Sequence, residues 1–337
     1  MTKNIKIAIN GFGRIGRPSF RRVLDCYPNL EVVAINDLAK PKILAHLLKY
    51  DSAYGICPRQ ISADERNIII DDKKYPVLAE KDPTNLPWTD LGVDVVLECT
   101  GFFTDFAGAN KHITAGAKKV IISAPCKSSE IKTFILGVNA DKYADETIID
   151  MGSCTTNCVA PVVKILNDEF GIEKSFFTTV HAYTSTQKLV DGPDDDLRRA
   201  RAAALNISPT TSGAAISVVK AIPALAGKLD GMAMRIPVPT VSVSDIVAVL
   251  TKSVNLENLK TIFIQYAKDK MKGILDTTNE NLVSSDFKAD PHSSIIDLPL
   301  TRVMDNMVKV MAWYDNEFGY ACRLVEMAEF IAERQKQ

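Results

Sequence analysis

The feature that most constrains the fold is a glycine pattern close to the start of the chain. Residues 11–16 read GFGRIG and match G-x-G-x-x-G, between an apolar stretch that alternates in steps of two and a helix-like segment, 14–25. A strand, this turn and a helix together form the phosphate-binding unit of a dinucleotide-binding fold. In that unit Gly11 permits the tight turn, Gly13 lets the backbone approach a pyrophosphate, and Gly16 lets the helix pack against the strand. The helix N-terminus then presents free N–H groups to phosphate.

A second strand and an acid support the same interpretation. Leu30–Asn36 reads as the second strand, and Asp37 follows it, close to the roughly 20 residues after the glycine pattern at which a ribose-binding acid is expected. Taken alone, an acid at this position is a solvated strand-end residue about as often as it is a ribose ligand. After the glycine pattern, its carboxylate is placed to accept hydrogen bonds from the adenosine ribose and to repel a 2′-phosphate. The sequence therefore predicts NAD, rather than NADP, as the cofactor.

Length and pattern together predict two domains. The chain has 337 residues, and a domain usually takes roughly 150. The first part alternates short apolar strands with helical stretches, which predicts an α/β domain with a Rossmann-type, doubly wound parallel sheet. After Cys154 the alternating strands are longer and helices fewer, which predicts an α+β domain with a mostly antiparallel sheet. We expect a dinucleotide-binding domain in 1–152, joined by a C-terminal helix in 317–337, and a catalytic domain in 153–316.

Individual elements can be placed within these domains. In the first domain we predict further strands at 93–98, 120–123 and 147–149, and a hairpin whose two strands are 67–70 and 75–78. In the second domain a helix is predicted at 155–170, and strands at 175–181, 231–236, 241–250 and 307–313. Residues 183–205 read as one long ordered loop.

Composition excludes several classes of function. With 40 Lys and Arg against 41 Asp and Glu, the net charge is −1, so neither nucleic acid nor an anionic membrane is indicated as a partner. No apolar run reaches the roughly 18 residues of a membrane helix, and the first residues lack the pattern of a signal or transit peptide. The seven scattered cysteines favour free thiols in a reducing compartment, so we expect a cytoplasmic protein.

One cysteine has the setting of a nucleophile. Residues 153–158 read SCTTNC at a strand-to-helix junction, and a thiolate at a helix N-terminus is stabilised by the helix dipole. Most cysteines are instead buried structural thiols, and we assign the others to that class or to passive surface thiols. Cys158, one turn after Cys154, is expected to be buried in the helix, and no Cys/His cluster completes a metal site. Of the four histidines, His181 at a predicted strand end is the favoured base, but His46, His112 and His292 remain open.

Basic and hydroxyl side chains in the second domain point to anion binding. Arg199 lies in the long loop and Arg235 near the end of a predicted strand, and nearby threonines supply hydroxyl groups. Ser212 and Gly213 open a predicted helix, which is a natural anion cradle. Taken singly, each arginine would more often be in a surface ion pair.

These stretches together resemble the phosphorylating glyceraldehyde-3-phosphate dehydrogenases, over essentially the whole chain. The resemblance rests on INGFGRIGR at 9–17, SCTTN at 153–157, HAYT at 181–184, LRRARAA at 197–203, GMAMRIP at 231–237 and WYDNEFGY at 313–320. SCTTN is highly specific, whereas the glycine pattern alone is not. The resemblance implies oxidation and phosphorylation of D-glyceraldehyde 3-phosphate to 1,3-bisphosphoglycerate with NAD and inorganic phosphate, a step of glycolysis.

The same resemblance implies roles for individual residues. It makes Cys154 the nucleophile, through a hemithioacetal and a thioester, and His181 the base. It places the substrate's phosphate at Thr184 and Arg235 with Thr186 beside them, inorganic phosphate at Ser153, Thr155, Ser212 and Gly213, and Arg199 between the two. The implied cofactor contacts are Gly11, Phe12, Gly13, Arg14, Ile15, Gly16, Asp37, Thr100, Ser123 and Asn316. It also implies a homotetramer formed through 153–316, with the 183–205 loop near a neighbour's cofactor.

Three other functions would use part of the same set of residues. Erythrose-4-phosphate dehydrogenase shares the fold and the thiol, but its relatives usually differ from this chain at 183–186 and 313–315. A Cys-His hydrolase would not need the dinucleotide loop. A non-catalytic NAD-binding redox sensor would not need Arg199, Arg235 and the hydroxyl groups around them.

Overall fold

The structure, a computed structural model, describes residues 4–334. Contacts within the chain divide it into two units. The first unit comprises 4–134, 142–151 and 321–334 of the described residues, and the second comprises 135–141 and 152–320. The glycine pattern therefore lies in the first unit and Cys154 in the second.

The first unit is built on one sheet. Its strands, in chain order, are β1 (Ile5–Asn10), β2 (Leu30–Asn36), β3 (Tyr50–Asp51), β4 (Gly55–Ile56), β5 (Ile61–Ala63), β6 (Asn67–Ile70), β7 (Lys73–Leu78), β8 (Val95–Glu98), β9 (Lys119–Ile122), β10 (Lys132–Thr133) and β11 (Ile148–Asp150). Within the described residues, the sheet order is β10-β11-β9-β8-β1-β2-β7-β6-β5, and β3 and β4 form a separate small hairpin. The helices of this unit are α1 (Gly16–Cys26), α2 (Pro41–Lys49), α3 (Trp88–Leu91) and α4 (Phe106–Thr114).

The parallel part of this sheet confirms the Rossmann-type prediction. Pairing is parallel from β10 through to β7 and antiparallel for β6 and β5. Every residue of β8 and β9 is buried, as expected for apolar strands covered by helices on both faces. Because these strands are parallel, the carboxyl ends of β1, β2, β8 and β9 meet at one edge, where ligands bind in such sheets.

The second unit has a mixed sheet. Its elements, in chain order, are α5 (Cys154–Phe170), β12 (Ile172–Ala182), β13 (Ser208–Thr211), α6 (Ala214–Ala221), β14 (Leu229–Ile236), β15 (Ser242–Leu250), α7 (Leu256–Lys268), β16 (Leu275–Thr278), β17 (Ser294–Asp297), β18 (Arg302–Met304) and β19 (Met307–Tyr314). The order is β13-β14-β12-β15-β19-β17-β16, with β18 beside β19. Among the strand pairs that the structure describes in this second sheet, only β12–β14 and β16–β17 are parallel. The prediction of a mostly antiparallel sheet is therefore confirmed.

The predicted elements differ from the structure mainly at their ends. The strand predicted at 175–181 runs over Ile172–Ala182, and the strand predicted at 93–98 begins only at Val95. In the hairpin, Asp71 and Asp72 take the left-handed conformation with φ of 46° and 68°, and Lys73 already belongs to β7. The last helix is α8, Phe318–Arg334. Across 4–334, no helix combines the length and the apolar character needed to cross a bilayer.

Candidate active site

The glycine loop has the tight geometry that the pattern requires. Gly11 has a φ of +92°, and a Cβ atom there would lie 2.7 Å from the backbone nitrogen of Thr100. A Cβ on Gly16 would lie 2.2 Å from the carbonyl oxygen of Gly11, so the start of α1 packs directly on the end of β1. Gly13, in contrast, has nothing within 4 Å of such an atom. Only glycine fits at positions 11 and 16. Gly13 leaves an open backbone beside a helix N-terminus.

A cavity of about 540 Å³ lies at this edge of the first unit. Of the predicted cofactor residues, Gly11, Gly13, Asp37 and Thr100 line it. The cavity is also lined by residues that were not predicted from the sequence, among them Asn10, Asn36, Glu80, Cys99 and Phe102. The available signal was position, because Asn10 and Asn36 are the last residues of predicted parallel strands, whose carboxyl ends form such sites.

The other predicted cofactor residues do not line the cavity: five lie in the first unit and one in the second. Phe12 is buried, and its ring packs edge-on against Phe20. Arg14 forms a 2.6 Å ion pair with Asp51, and Ile15 directly precedes α1. Ser123 directly follows β9, and its N–H donates to the carbonyl oxygen of Glu98. Asn316 belongs to the second unit.

Asp37 is held by the backbone around the cavity. One carboxylate oxygen accepts a 2.8 Å hydrogen bond from the N–H of Phe12, and the other accepts a 2.9 Å bond from the N–H of Ala39. The carboxylate thus fixes the glycine loop while it also lines the cavity.

Removing the charge of Asp37 is expected to shift cofactor preference toward NADP. In Asp37→Asn, the ratio of kcat/KM for NADP to that for NAD should rise about tenfold, since a hydrogen bond to a charged group and the repulsion of a 2′-phosphate are both lost. Asp37→Gly should shift the ratio in the same direction but weaken the binding of both cofactors, because the N–H of Phe12 loses its acceptor. Steady-state kinetics with both cofactors on the three proteins decides this; an unchanged ratio would show that Asp37 does not face the ribose.

Cys154 is the first residue of a firmly capped helix. The hydroxyl of Ser153 accepts a 3.1 Å hydrogen bond from the N–H of Thr156, whose own hydroxyl accepts a 3.0 Å bond from the N–H of Ser153. This reciprocal capping box fixes where the helix begins. It therefore also fixes the position of the Cys154 thiol at the helix N-terminus.

His181 is the histidine that contacts this thiol. Its Nε2 lies 3.4 Å from Sγ of Cys154. Its Nδ1 lies 2.7 Å from the carbonyl oxygen of Ala182, which can only accept, and 2.5 Å from Nη1 of Arg235, which can only donate. Nε2 offers a lone pair to the sulfur in the tautomer that carries its proton on Nδ1. The other histidines lie elsewhere. His46 packs on Tyr50, His292 hydrogen-bonds to Asp290, and His112 belongs to the first unit.

Burial disfavours the charged forms of both members of this pair. Burial raises the pKa of the Cys154 thiol, although the charge of Arg235 and hydrogen bonds from the helix backbone lower it. Burial, aided by the charge of Arg235, lowers the pKa of His181 to about 3. At the thiol, the cost of desolvating the ion therefore opposes the stabilisation that the helix N-terminus and Arg235 provide.

Arg235 brings an uncompensated cation to the pair. It lies opposite His181 in the parallel pairing of β12 with β14, and its Nη1 is 2.5 Å from Nδ1 of His181 and 3.1 Å from the Ala182 carbonyl oxygen. Its pKa is lowered by burial and also by the charge of Arg199. Over 4–334 no carboxylate is within ion-pair distance of Arg235. A half-buried cation without an acid partner is a candidate site for an anion.

The other predicted anion-binding residues fall into separate groups. Arg199 donates from Nε to the hydroxyl of Thr210 at 2.9 Å and lies 3.4 Å from Asp196. The hydroxyl groups of Thr184 and Thr186 are 2.9 Å apart. Ser212 accepts a 3.2 Å bond from the N–H of Ala214, and Gly213 is the residue before α6. Among residues 4–334, none of these groups hydrogen-bonds to Cys154, whereas His181 lies within hydrogen-bond distance of its thiol and Arg235 within that distance of His181.

Two buried side chains that the sequence analysis did not single out support the site. The hydroxyl of Tyr314 lies 2.9 Å from that of Thr155 and 2.7 Å from that of Thr179, so Thr155 is held from within the unit. Ser242 accepts a 3.1 Å bond from the N–H of Ala182 and donates to Oδ1 of Asn316 at 3.0 Å. The only signal for Tyr314 was its place in the WYDNEFGY stretch. Among residues 4–334, no three His, Cys, Asp or Glu side chains form a group that could hold a metal.

Comparisons with known proteins agree with this geometry. Residues 5–106 match the family model described as "Glyceraldehyde 3-phosphate dehydrogenase, NAD binding domain", and residues 153–316 match the one described as "Glyceraldehyde 3-phosphate dehydrogenase, C-terminal domain". The chain is 51% identical to glyceraldehyde-3-phosphate dehydrogenase of Priestia megaterium and 51% identical to that of Geobacillus stearothermophilus, in each case over 98% of this chain and 99% of the relative. It is 50% identical to glyceraldehyde-3-phosphate dehydrogenase 1 of Bacillus subtilis, with the same coverage.

Proposed function

Because the chain belongs to the glyceraldehyde-3-phosphate dehydrogenase family, NAD-dependent oxidoreductases of glycolysis, we propose that Cys154 and His181 perform the chemistry of that reaction. The substrates are glyceraldehyde 3-phosphate and inorganic phosphate. The observation that carries the assignment of roles is the 3.4 Å contact between Sγ of Cys154 and Nε2 of His181. A nucleophile within hydrogen-bonding reach of an oriented base is the arrangement that covalent catalysis needs.

In the first step His181 acts as a general base. As Sγ of Cys154 bonds to the aldehyde carbon, its proton passes to Nε2 of His181, and the carbonyl electrons move to oxygen to give a hemithioacetal. The protonated imidazole and the N–H of Cys154 are placed to stabilise that oxygen. This step uses the tautomer with the proton on Nδ1, in which Nδ1 donates to the Ala182 carbonyl oxygen 2.7 Å away.

The second half of the reaction returns the thiol. NAD, when bound, accepts the hydride that the hemithioacetal loses, which leaves a thioester on Cys154. Phosphate attacks the thioester carbon, the carbon–sulfur bond breaks, and the sulfur recovers its proton from the imidazolium. The product is an acyl phosphate, 1,3-bisphosphoglycerate.

Two anion sites would hold the phosphates. We assign the phosphate of the substrate to Arg235, Thr184 and Thr186, supported by the missing acid partner of Arg235. We assign inorganic phosphate to a second group of residues at two helix starts: Ser153, Thr155, Ser212 and Gly213. Arg199, whose charge lowers the pKa of Arg235 after the larger effect of burial, would serve both.

The residues of the first unit fit NAD. The open backbone at Gly13 admits a pyrophosphate at the start of α1, and Asp37 lines the same cavity as Thr100. We assign cofactor contacts to the whole glycine loop, Asp37, Thr100 and Ser123. Asn316 would hold the nicotinamide carboxamide.

Assembly and organisation belong to the same proposal. We infer a homotetramer of a cytoplasmic enzyme, with a dinucleotide-binding domain in 1–152 and 317–337 and a catalytic and oligomerising domain in 153–316. The 183–205 loop supports assembly, because it exposes Leu189, Leu197 and Leu205 by more than four fifths of their surface. Where exposed apolar side chains form a contiguous patch, they mark a surface that a partner covers.

A steady-state assay tests this function. The protein is expected to reduce NAD with glyceraldehyde 3-phosphate, with turnover that depends on inorganic phosphate, and to use erythrose 4-phosphate far less well. Without phosphate, NADH should form in a burst of about one per subunit, because the thioester has no efficient acceptor. A preference for erythrose 4-phosphate would favour the related dehydrogenase. NAD binding without turnover on either aldehyde would favour a redox sensor.

A further inference from the structure

A buried polar network lies behind the cofactor cavity of the first unit. At its centre is Glu98, the last residue of β8, with 1% of its surface exposed. One carboxylate oxygen accepts from both the N–H and the hydroxyl of Thr100, the former at 2.8 Å. The other accepts from Nδ2 of Asn10 at 2.5 Å and lies 3.0 Å from Nε2 of His112. Four donors therefore converge on one buried carboxylate.

The tautomer of His112 follows from its second neighbour. The indole N–H of Trp88 lies 3.0 Å from Nδ1 of His112, and an indole nitrogen can only donate. Nδ1 must then accept, so the ring proton is on Nε2 and points at Glu98. Both rings are fully buried. Trp88 therefore fixes the direction in which His112 donates.

The network reaches the cavity through two of its members. Thr100 and Asn10 both line the cavity. The backbone of Thr100 lies so close to Gly11 that a Cβ atom on Gly11 would be 2.7 Å from the backbone nitrogen of Thr100. Oδ1 of Asn10 also accepts a 2.7 Å bond from Nδ2 of Asn36. Glu98 thus sets the relative positions of the ends of β8, β1 and β2, which together form one wall.

We propose that His112 is a positioning residue for NAD, which acts through Glu98 on Thr100 and Asn10. This inference rests on the proposed function, since NAD is the molecule that the cavity would hold. His112 does not line the cavity, and it has no part in the chemistry of Cys154. Its hydrogen bond holds the Glu98 carboxylate in the one orientation that keeps Thr100 against Gly11.

The experiment compares His112→Leu with His112→Gln. The leucine variant removes the donor to Glu98, whereas glutamine retains an N–H close to the position of Nε2. We expect the Kd for NAD, measured by calorimetry on the full-length protein, to rise about tenfold in the leucine variant, a factor typical for the loss of a bond to a charged group. The glutamine variant should recover most of the affinity. The KM for NAD should rise in parallel, with kcat at saturating NAD within about twofold of the wild type.

A stability control separates positioning from a merely structural effect. Val120→Ala leaves a cavity in the same hydrophobic cluster as Trp88 but removes no hydrogen bond of the network. It should lower the melting temperature without changing the Kd for NAD. An equal loss of affinity in Val120→Ala would overturn the proposal, as would a glutamine variant that binds no better than the leucine variant.

The remaining outcomes are equally decisive. If His112→Leu does not fold, Trp88→Phe replaces it, since that change keeps a ring while releasing Nδ1; a rise of about threefold in Kd is expected. Wild-type affinity in that variant, or in His112→Leu, would overturn the inference and leave the proposed function intact. Failure of the wild-type protein to bind NAD would instead refute the proposed function itself.

Discussion

Replacing Cys154 by serine is expected to reduce turnover by about 10⁴-fold or more while leaving the affinity for NAD unchanged. Loss of a catalytic nucleophile has effects of this size, and a hydroxyl is a far poorer nucleophile than sulfur near neutral pH. The affinity should persist because Cys154 belongs to the second unit, whereas the glycine loop and Asp37 belong to the first. Steady-state kinetics and calorimetric titration with NAD measure the two quantities.

Cys158→Ser is the matched control. Cys158 lies one turn further along α5, where burial raises the pKa of its thiol to about 12. Its Sγ lies 3.7 Å from the carbonyl oxygen of Ala312 and 3.8 Å from the hydroxyl of Ser294. Serine there should cost some stability but retain most of the activity. An essential Cys158 with a dispensable Cys154 would refute the assignment of the nucleophile.

Replacing His181 by asparagine is expected to slow turnover by about 10²–10⁴-fold, the usual effect of losing a positioned general base. The alkylation of Cys154 by iodoacetamide reports the same loss without NAD or substrate. In the wild type Nε2 of His181 lies 3.4 Å from Sγ, so the imidazole can take the thiol proton as the sulfur attacks. The variant has no such base, so its alkylation should shift to more alkaline pH.

His292→Asn is the control for this prediction. His292 bonds to Asp290 at 2.8 Å and has no contact with the thiol, so both turnover and alkylation should match the wild type. Coincident alkylation profiles for the wild type and His181→Asn would show that another group takes the proton.

Acid stability provides an independent readout of His181. Burial, with the charge of Arg235, lowers its pKa from 6.5 to about 3, so between these values the unfolded chain binds a proton that the folded protein does not. The free energy of unfolding must therefore fall as pH drops from about 6.5 toward 3. His181→Asn should lose that part of the pH dependence, which urea unfolding at a series of pH values would detect.

Local patterns in the sequence were sufficient to predict much of the fold. The strand Leu30–Asn36 was predicted at its observed bounds, because alternation and flanking turn residues are encoded locally. Helix α7 was missed although Asn255, which accepts a 2.8 Å bond from the N–H of Asn258, carries a helix-start signal. A second signal was also present, because the buried residues Leu259, Phe263 and Tyr266 recur at helical spacing.

The features of the site that escaped prediction depend on contacts between distant residues. The raised pKa of the Cys154 thiol comes from burial, which cannot be inferred from a cysteine at a helix start. The choice of His181 over three other histidines required the distance to sulfur. Similarly, the network of Trp88, His112 and Glu98 joins two short helices to a strand end, and no spacing along the chain indicates it.

The pairing of β12 with β14 also determines where the chain tolerates a change in length. His181 lies opposite Arg235 in that parallel pair, and side chains of a strand alternate between its two faces. Insertion of a single residue within β14 ahead of Arg235 would turn the guanidinium to the other face and place Met234 opposite His181. An insertion in 183–205 would leave this pairing unchanged, because that loop lies outside both strands. This pairing therefore sets no limit on the length of the loop, whereas it fixes the residue count within β14.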